Sequence, residues 1–200
     1  MGDKMSVTIS HSGYEKSECE TSTCLSNIPN CNLGDPNCAI ASYKMNTDKS
    51  GLDISLSFSG SDTYVAIGIS LDVGMPNTDV YYCQNQDDTI GVQSALSIGY
   101  SRPLITEKYI SDNGIVENTI ATNLTANVYT CRFTRELDVT KTIWRLDMER
   151  LTRTFNIEEG RSWNIMMAKG RMSEGRAQYH GRSSADGNTA LFRKGFIFTV

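Results

Sequence analysis

The sequence predicts an all-β fold: an antiparallel, immunoglobulin-like β-sandwich of two packed sheets behind a Cys-rich irregular N-terminal segment. Three observations carry this. From Ala39 onward, short runs of alternating or apolar residues are separated by Gly, Asn, Asp and Ser, which is the pattern of strands and turns. These runs do not alternate with the long amphipathic stretches that would supply βαβ crossovers, so the sheets are antiparallel and packed face to face. Six cysteines, at 19, 24, 31, 38, 83 and 131, lack the paired C-x-x-C spacing of a zinc ribbon, and disulfides in an oxidising compartment explain them better.

Residues 1–38 are polar, rich in Ser, Thr, Asn and Cys, and read as a leader tied down by disulfides that adds little core; residues 39–200 read as one sandwich domain. The candidate strands are Ile40–Met45, Leu52–Ser59, Thr63–Leu71, Asp79–Gln84, Val92–Tyr100, Ile105–Ile110, Asn127–Arg135, Trp163–Lys169 and Ala190–Val200. In Leu52–Ser59 every second side chain is apolar, which predicts one buried face and serines toward water. Tyr64–Ser70 is more continuously apolar, as a central strand would be. Ile143–Arg153 offers the one helical option, with Trp144, Met148 and Leu151 at spacings of four and three.

Apolar residues make up 39% and charged residues 21% of the 200, which fits a globular domain large enough for a real core. The net charge of −4 argues against a nucleic-acid partner, which needs a basic surface to displace counterions. Charge is uneven: residues 1–100 hold 4 Lys or Arg and 12 Asp or Glu, residues 101–200 hold 15 and 11. The late arginines form a solvated face or a docking surface for an acidic partner. No apolar leader opens the chain and no stretch reaches the ~18–20 apolar residues of a membrane span, so the chain reads as a trimmed piece. Asn123-Leu124-Thr125 is an N-glycosylation sequon.

Only two histidines exist, His11 in the leader and His180 in Gln178-Tyr179-His180-Gly181-Arg182. Neither lies near a G-x-S-x-G nucleophile elbow, and H-E-x-x-H, the phosphate-binding G-x-x-x-x-G-K-[ST] and the dinucleotide G-x-G-x-x-G are all absent. Hydrolase, zinc-enzyme and nucleotide chemistry therefore have no motif behind them.

One stretch does resemble a known family. Tyr64-Val65-Ala66-Ile67-Gly68-Ile69-Ser70, then Asp72-Val73-Gly74-Met75-Pro76-Asn77-Thr78-Asp79-Val80, is similar to the central motif of DOMON domains: an apolar strand ending in G-[FI]-S, a Met-bearing turn and a D-V strand. Trp163–Gly170 and the His-bearing segment from His180 to Gly187 resemble its later part, so the likeness spans most of residues 19–200. The Cys-rich leader, Cys83 after the D-V strand and Cys131-Arg132-Phe133 resemble above all the ectodomain of ferric-chelate reductase-like proteins. The cellobiose dehydrogenase haem domain is also similar.

This resemblance implies an extracellular b-type cytochrome domain whose iron is held by Met75 and His180. A soft thioether and a neutral imidazole suit haem iron, and together they leave no open coordination position, which favours electron relay over oxygen chemistry. Without C-x-x-C-H the haem would be non-covalent haem b. Tyr179, Arg182, Trp163 and Tyr81 are candidate pocket or propionate contacts, and Met148, Met166, Met167 and Met172 are alternative thioethers. Cys83 and Cys131 lie on predicted strands and would bridge two segments far apart in sequence, while Cys19, Cys24, Cys31 and Cys38 allow three pairings. The implied setting is a secreted or cell-surface ectodomain, with a redox partner that would be a transmembrane cytochrome portion of the same full-length protein. Whether the domain itself catalyses ferric or cupric reduction is left open. The other reading is a haem-free carbohydrate-binding or protein-interaction module docking through exposed Tyr81, Tyr82 and Tyr109.

Overall fold

The structure is a computed structural model and describes residues 8–10, 19, 22–28, 30–71, 76–86, 89–99, 103–105, 115–123, 127–144, 150–158, 161–178 and 190–197. Its strands, in chain order, are β1 (Thr8–Ser10), β2 (Thr23–Ser26), β3 (Ala39–Met45), β4 (Gly51–Ser59), β5 (Thr63–Ser70), β6 (Thr78–Gln86), β7 (Thr89–Ser97), β8 (Leu104–Ile105), β9 (Ile115–Asn123), β10 (Val128–Glu136), β11 (Asp138–Trp144), β12 (Arg150–Asn156), β13 (Ser162–Ser173), β14 (Arg176–Ala177) and β15 (Ala190–Ile197). One sheet runs β1-β9-β10-β4-β3-β2, the other runs β14-β13-β5-β6-β7-β8 with β15 also on β13, and β11–β12 form a separate hairpin. Among the described residues all pairings are antiparallel except β1 with β9. This is the expected two-sheet sandwich.

The sheets are held together by alternation. Ile54, Leu56 and Phe58 of β4 and Tyr129, Cys131 and Phe133 of β10 meet Val65, Ile67 and Ile69 of β5, Tyr81 and Cys83 of β6, and Trp163, Ile165 and Met167 of β13 in one buried cluster. Each side chain in it removes roughly 1.5–3 kcal/mol worth of apolar surface from water. The disulfide Cys83–Cys131 joins β6 to β10 across this core, as the sequence suggested, with Cα atoms 5.8 Å apart. The leader cysteines pair locally, Cys19 with Cys24 and Cys31 with Cys38.

Four expectations need correcting. In the region read as a possible helix the described residues are strand, the end of β11 and the start of β12, with residues 145–149 outside the described residues: Ile143 points inward, and Thr142 bonds Thr152 across the paired strands. Strands β1, β2, β9, β11, β12 and β14 were not foreseen, and residues 106–110 of the candidate strand Ile105–Ile110 lie outside the described residues. The leader contributes Leu25 to the core, because β2 pairs with β3. Finally, Ser55, Ser57 and Ser59 are buried rather than solvated. Their side chains are short enough to lie between neighbouring strands: Ser57 bonds Thr130 across β4–β10 at 2.9 Å, and Ser59 accepts from the Gly34 N–H of the leader at 2.8 Å.

Candidate functional site

The two sheets differ on the sides that face away from the core. The first presents the hydroxyl residues Ser42, Ser55, Ser57, Ser59 and Thr130 there, of which Ser57 and Thr130 bond each other and Ser59 bonds the leader. The second presents a different surface. Strand pairing aligns Gly170–Tyr64–Gln84, Ala168–Ala66–Tyr82 and Met166–Gly68–Val80–Ala95 in rows on one face. Tyr64, Ala66, Val80, Tyr82, Ala95 and Met172 form a second buried apolar cluster there, separate from the core between the sheets. Strand β5 is accordingly buried at every residue.

The middle of this face is a floor of small residues with taller ones at its margin. A Cβ on Gly68 would lie 2.8 Å from Thr78 Cγ2 and close to the Met166 side chain, and one on Gly170 would lie 2.6 Å from the Tyr64 ring. Glycine is required at both places because neighbouring side chains close over the bare backbone. Tyr64 and Tyr82 meet edge to face at 5.3 Å.

Both segments with predicted ligands connect to strands of this sheet. The chain between Leu71 and Pro76, which carries Met75, links β5 to β6; Met75 itself lies outside the described residues. The segment carrying Tyr179, His180 and Arg182 follows Gln178, and these three also lie outside the described residues. Gln178 is fixed at the far end of β5, where the Tyr64 hydroxyl donates to its carbonyl at 2.9 Å. Tyr64 and Ser70 are six residues apart, about 20 Å along a strand. The two connections thus leave from opposite ends of the floor's central strand.

Tyr81 and Trp163, expected near the cofactor, lie on the opposite face of the sheet, inside the main core. Met167 shares that core, while Met166 and Met172 lie on the outer face; Met148 is outside the described residues. Tyr82 is as buried as Tyr81, so neither is an exposed docking aromatic, and Tyr109 lies outside the described residues. Asn123 is the last residue of β9.

Beneath the floor is a charged cluster that sequence reading missed. Asp79 is fully buried with Arg135, whose Nε donates to Asp79 Oδ2 at 2.9 Å, and with Lys141, which contacts Asp79 Oδ1. The remaining Arg135 donors reach the carbonyls of Glu136, Leu137 and Phe155. Lys141 Nζ donates at 3.0 Å to the carbonyls of Val80 and Ala95, the two residues whose side chains form the floor above, and lies 3.9 Å from the Tyr81 ring centroid. Burial pulls the Lys141 ammonium down to about 8, against the Asp79 carboxylate that favours its charge, while burial and then Asp79 push the Tyr81 phenol well up. Two cations against one carboxylate leave an excess positive charge under the small-residue floor.

A model of the DOMON domain matches residues 35–170 of the chain. The chain is 30% identical over 162 residues to the protein named "Putative ferric-chelate reductase 1" of Danio rerio, covering 80% of this chain and 25% of that protein. It is 25% identical over 175 residues to the protein of the same name from Xenopus laevis, covering 86% and 26% respectively. The chain therefore spans about a quarter of the length of these curated relatives. Among solved structures, the cytochrome domain of Myriococcum thermophilum cellobiose dehydrogenase aligns with a TM-score of 0.48 at 12% identity, over 86% of this chain and 80% of that one.

Proposed function

Since the chain belongs to the DOMON domain family, we propose that it is an extracellular electron-transfer domain that holds one non-covalent haem b between Met75 and His180. The observation that carries this reading is the outer face of the second sheet. A sandwich needs one apolar face per sheet, yet here the other face is also apolar, floored by Ala66, Gly68, Val80 and Ala95 and walled by Tyr64, Tyr82 and Met172. A flat, rigid, apolar macrocycle fits such a floor, because small side chains let its plane or edge approach the backbone.

Bound haem would supply a one-electron couple. This chain's residues do the rest. Met75 and His180, on connections from opposite ends of β5, would be the residues that hold the haem. Ala66, Gly68 and Ala95 exclude water from the face. The excess positive charge of Arg135 and Lys141 over Asp79, just beneath, disfavours the more positive oxidised state. With Met75 and His180 both holding the iron, any reduction of a metal chelate would be by outer-sphere transfer.

Three disulfides and the Asn123 sequon support a secretory-pathway, cell-surface setting. The chain's short span within relatives named as ferric-chelate reductases supports a redox partner elsewhere in the same longer protein. Among the described residues no helix is long and apolar enough to cross a membrane.

The test is spectroscopic. Haem-reconstituted protein should give a reduced spectrum with sharp α and β bands, lost in Met75→Ala and in His180→Ala, and Ala66→Trp should block uptake by filling the floor. Colourless protein after reconstitution, or unchanged bands in both ligand variants, sinks the proposal.

A further inference from the structure

We infer that Tyr64 is a positioning residue for the proposed haem ligand His180, acting through its hydrogen bond to the Gln178 carbonyl. This inference rests on the haem reading above. Tyr64 is the first outer-face residue of β5 and is 3% exposed. Its ring is held between Gly170, where any Cβ would collide with it at 2.6 Å, and Tyr82, edge to face at 5.3 Å. Its hydroxyl is thereby aimed, and it donates to the Gln178 carbonyl at 2.9 Å.

The other side of Gln178 is fixed as well. Its N–H donates to the Arg171 carbonyl at 2.8 Å, and its side-chain amide to the carbonyls of Ser173 and Arg176. The hairpin from β13 to β14 turns through Glu174 and Gly175, both with positive φ (51° and 71°), the tight two-residue turn that matches strand twist. It is secured to the sheet by the Met172 N–H, which donates to the Asp62 carbonyl at 2.7 Å. Chain direction at Gln178 is therefore set by the sheet. His180 is two residues on, within about 7 Å of backbone reach. Only the Tyr64 bond in this set crosses from the central strand to the exit point, so its loss frees the base of the His180 segment without removing the hairpin.

The experiment compares wild type, Tyr64→Phe and Tyr129→Phe, the last a control that loses a hydroxyl bonded to Asn127 in the other sheet. Haem loss to excess apomyoglobin is measured in reconstituted protein, and amide exchange of residues 179–182 in haem-free protein. Tyr64→Phe should speed both by roughly three- to tenfold, the scale of one buried hydrogen bond, and Tyr129→Phe neither. Wild-type rates for Tyr64→Phe in both measurements overturn the inference. Should Tyr64→Phe not fold, 3-fluorotyrosine at position 64 keeps the ring and strengthens the donor; unchanged exchange and haem loss there overturn it equally. The haem reading fails separately, if wild type takes up no haem or His180→Ala keeps its bands. The exchange of residues 179–182 then still reports whether Tyr64 anchors the segment.

Discussion

Replacing Cys83 and Cys131 together by alanine tests how the sandwich is held closed. The bridge joins β6 of one sheet to β10 of the other, its residues 48 apart in the chain. In the loop-entropy account, the stabilisation from a bridge grows with the logarithm of the loop it closes in the unfolded chain, and 48 residues correspond to about 4 kcal/mol. Cys19–Cys24 and Cys31–Cys38 close separations of 5 and 7, for which the same relation gives about 2 kcal/mol each. Because both sulfurs of the long bridge are in the core, the double variant also loses packing there, which adds to its deficit. Against the 5–15 kcal/mol typical of a whole domain, ~4 kcal/mol moves the urea midpoint by a large fraction. Equilibrium urea unfolding of three double Cys→Ala variants should therefore rank Cys83/Cys131 as the most costly, by about 2 kcal/mol over either leader pair. If Cys83/Cys131 costs no more than Cys19/Cys24, the loop-length reasoning is wrong for this fold.

Three further outcomes follow from the charged interior. Asp79→Asn leaves Arg135 and Lys141 buried without their carboxylate and should cost roughly 3–5 kcal/mol in urea unfolding; a loss under ~1 kcal/mol would mean that the cluster is not desolvated. Lys169 is buried with its ammonium on the Pro36 carbonyl at 2.7 Å, and burial lowers it from 10.5 to about 8. The folded state then releases this proton near pH 8 while the unfolded chain keeps it to about 10.5, so stability should rise between those pH values, and less so in Lys169→Met; parallel pH profiles for the two proteins would contradict it. Lys141→Met should lower the midpoint potential of the haem-loaded protein, because removing a buried positive charge beneath the floor favours the oxidised form. An unchanged or raised potential in redox titration would show that the cluster does not act on the haem.

Much of the scaffold was legible because its strands obey the period of two. Leu52–Ser59 and Asn127–Arg135 were read within a residue of β4 and β10, since apolar side chains alternate there with Ser, Thr and Arg. The β11–β12 hairpin was missed for a physical reason. Its inward row is Val139, Lys141, Ile143, and a lysine at the centre breaks the apolar alternation; that lysine is inward because Asp79, Val80 and Ala95 give it partners far away in the sequence, 61 residues for Val80 and 46 for Ala95. No local pattern announces so distant a partner. The same limit hid the pairing of Asp79 with Arg135 and the fastening of Gln178 by Tyr64. The cysteine bridge from 83 to 131 could be read because both residues fall on recognisable strands. Of the proposed site, the resemblance named the ligands and left the floor unseen, because Ala66, Gly68 and Ala95 read equally well as ordinary residues of a buried strand.

The contrast between the two outer faces also bears on the choice between haem and a haem-free module. Both faces are built largely of small side chains and both are buried, so burial alone distinguishes nothing. Chemistry does. On the first sheet the small residues are Ser and Thr, with Ser57 bonded to Thr130 and Ser59 to the leader; on the second they are Ala and Gly, which offer a ligand only shape and exclusion of water. A carbohydrate site needs polar groups and an accessible aromatic platform, yet among the described residues Tyr81 is in the main core and Tyr82 is packed against Tyr64. An apolar planar ligand needs the reverse: a smooth floor, close walls and its few directional contacts from the flanking connections. That division matches this face, where the floor comes from β5, β6, β7 and β13 and the only two proposed directional contacts, Met75 and His180, come from the connections at either end of β5.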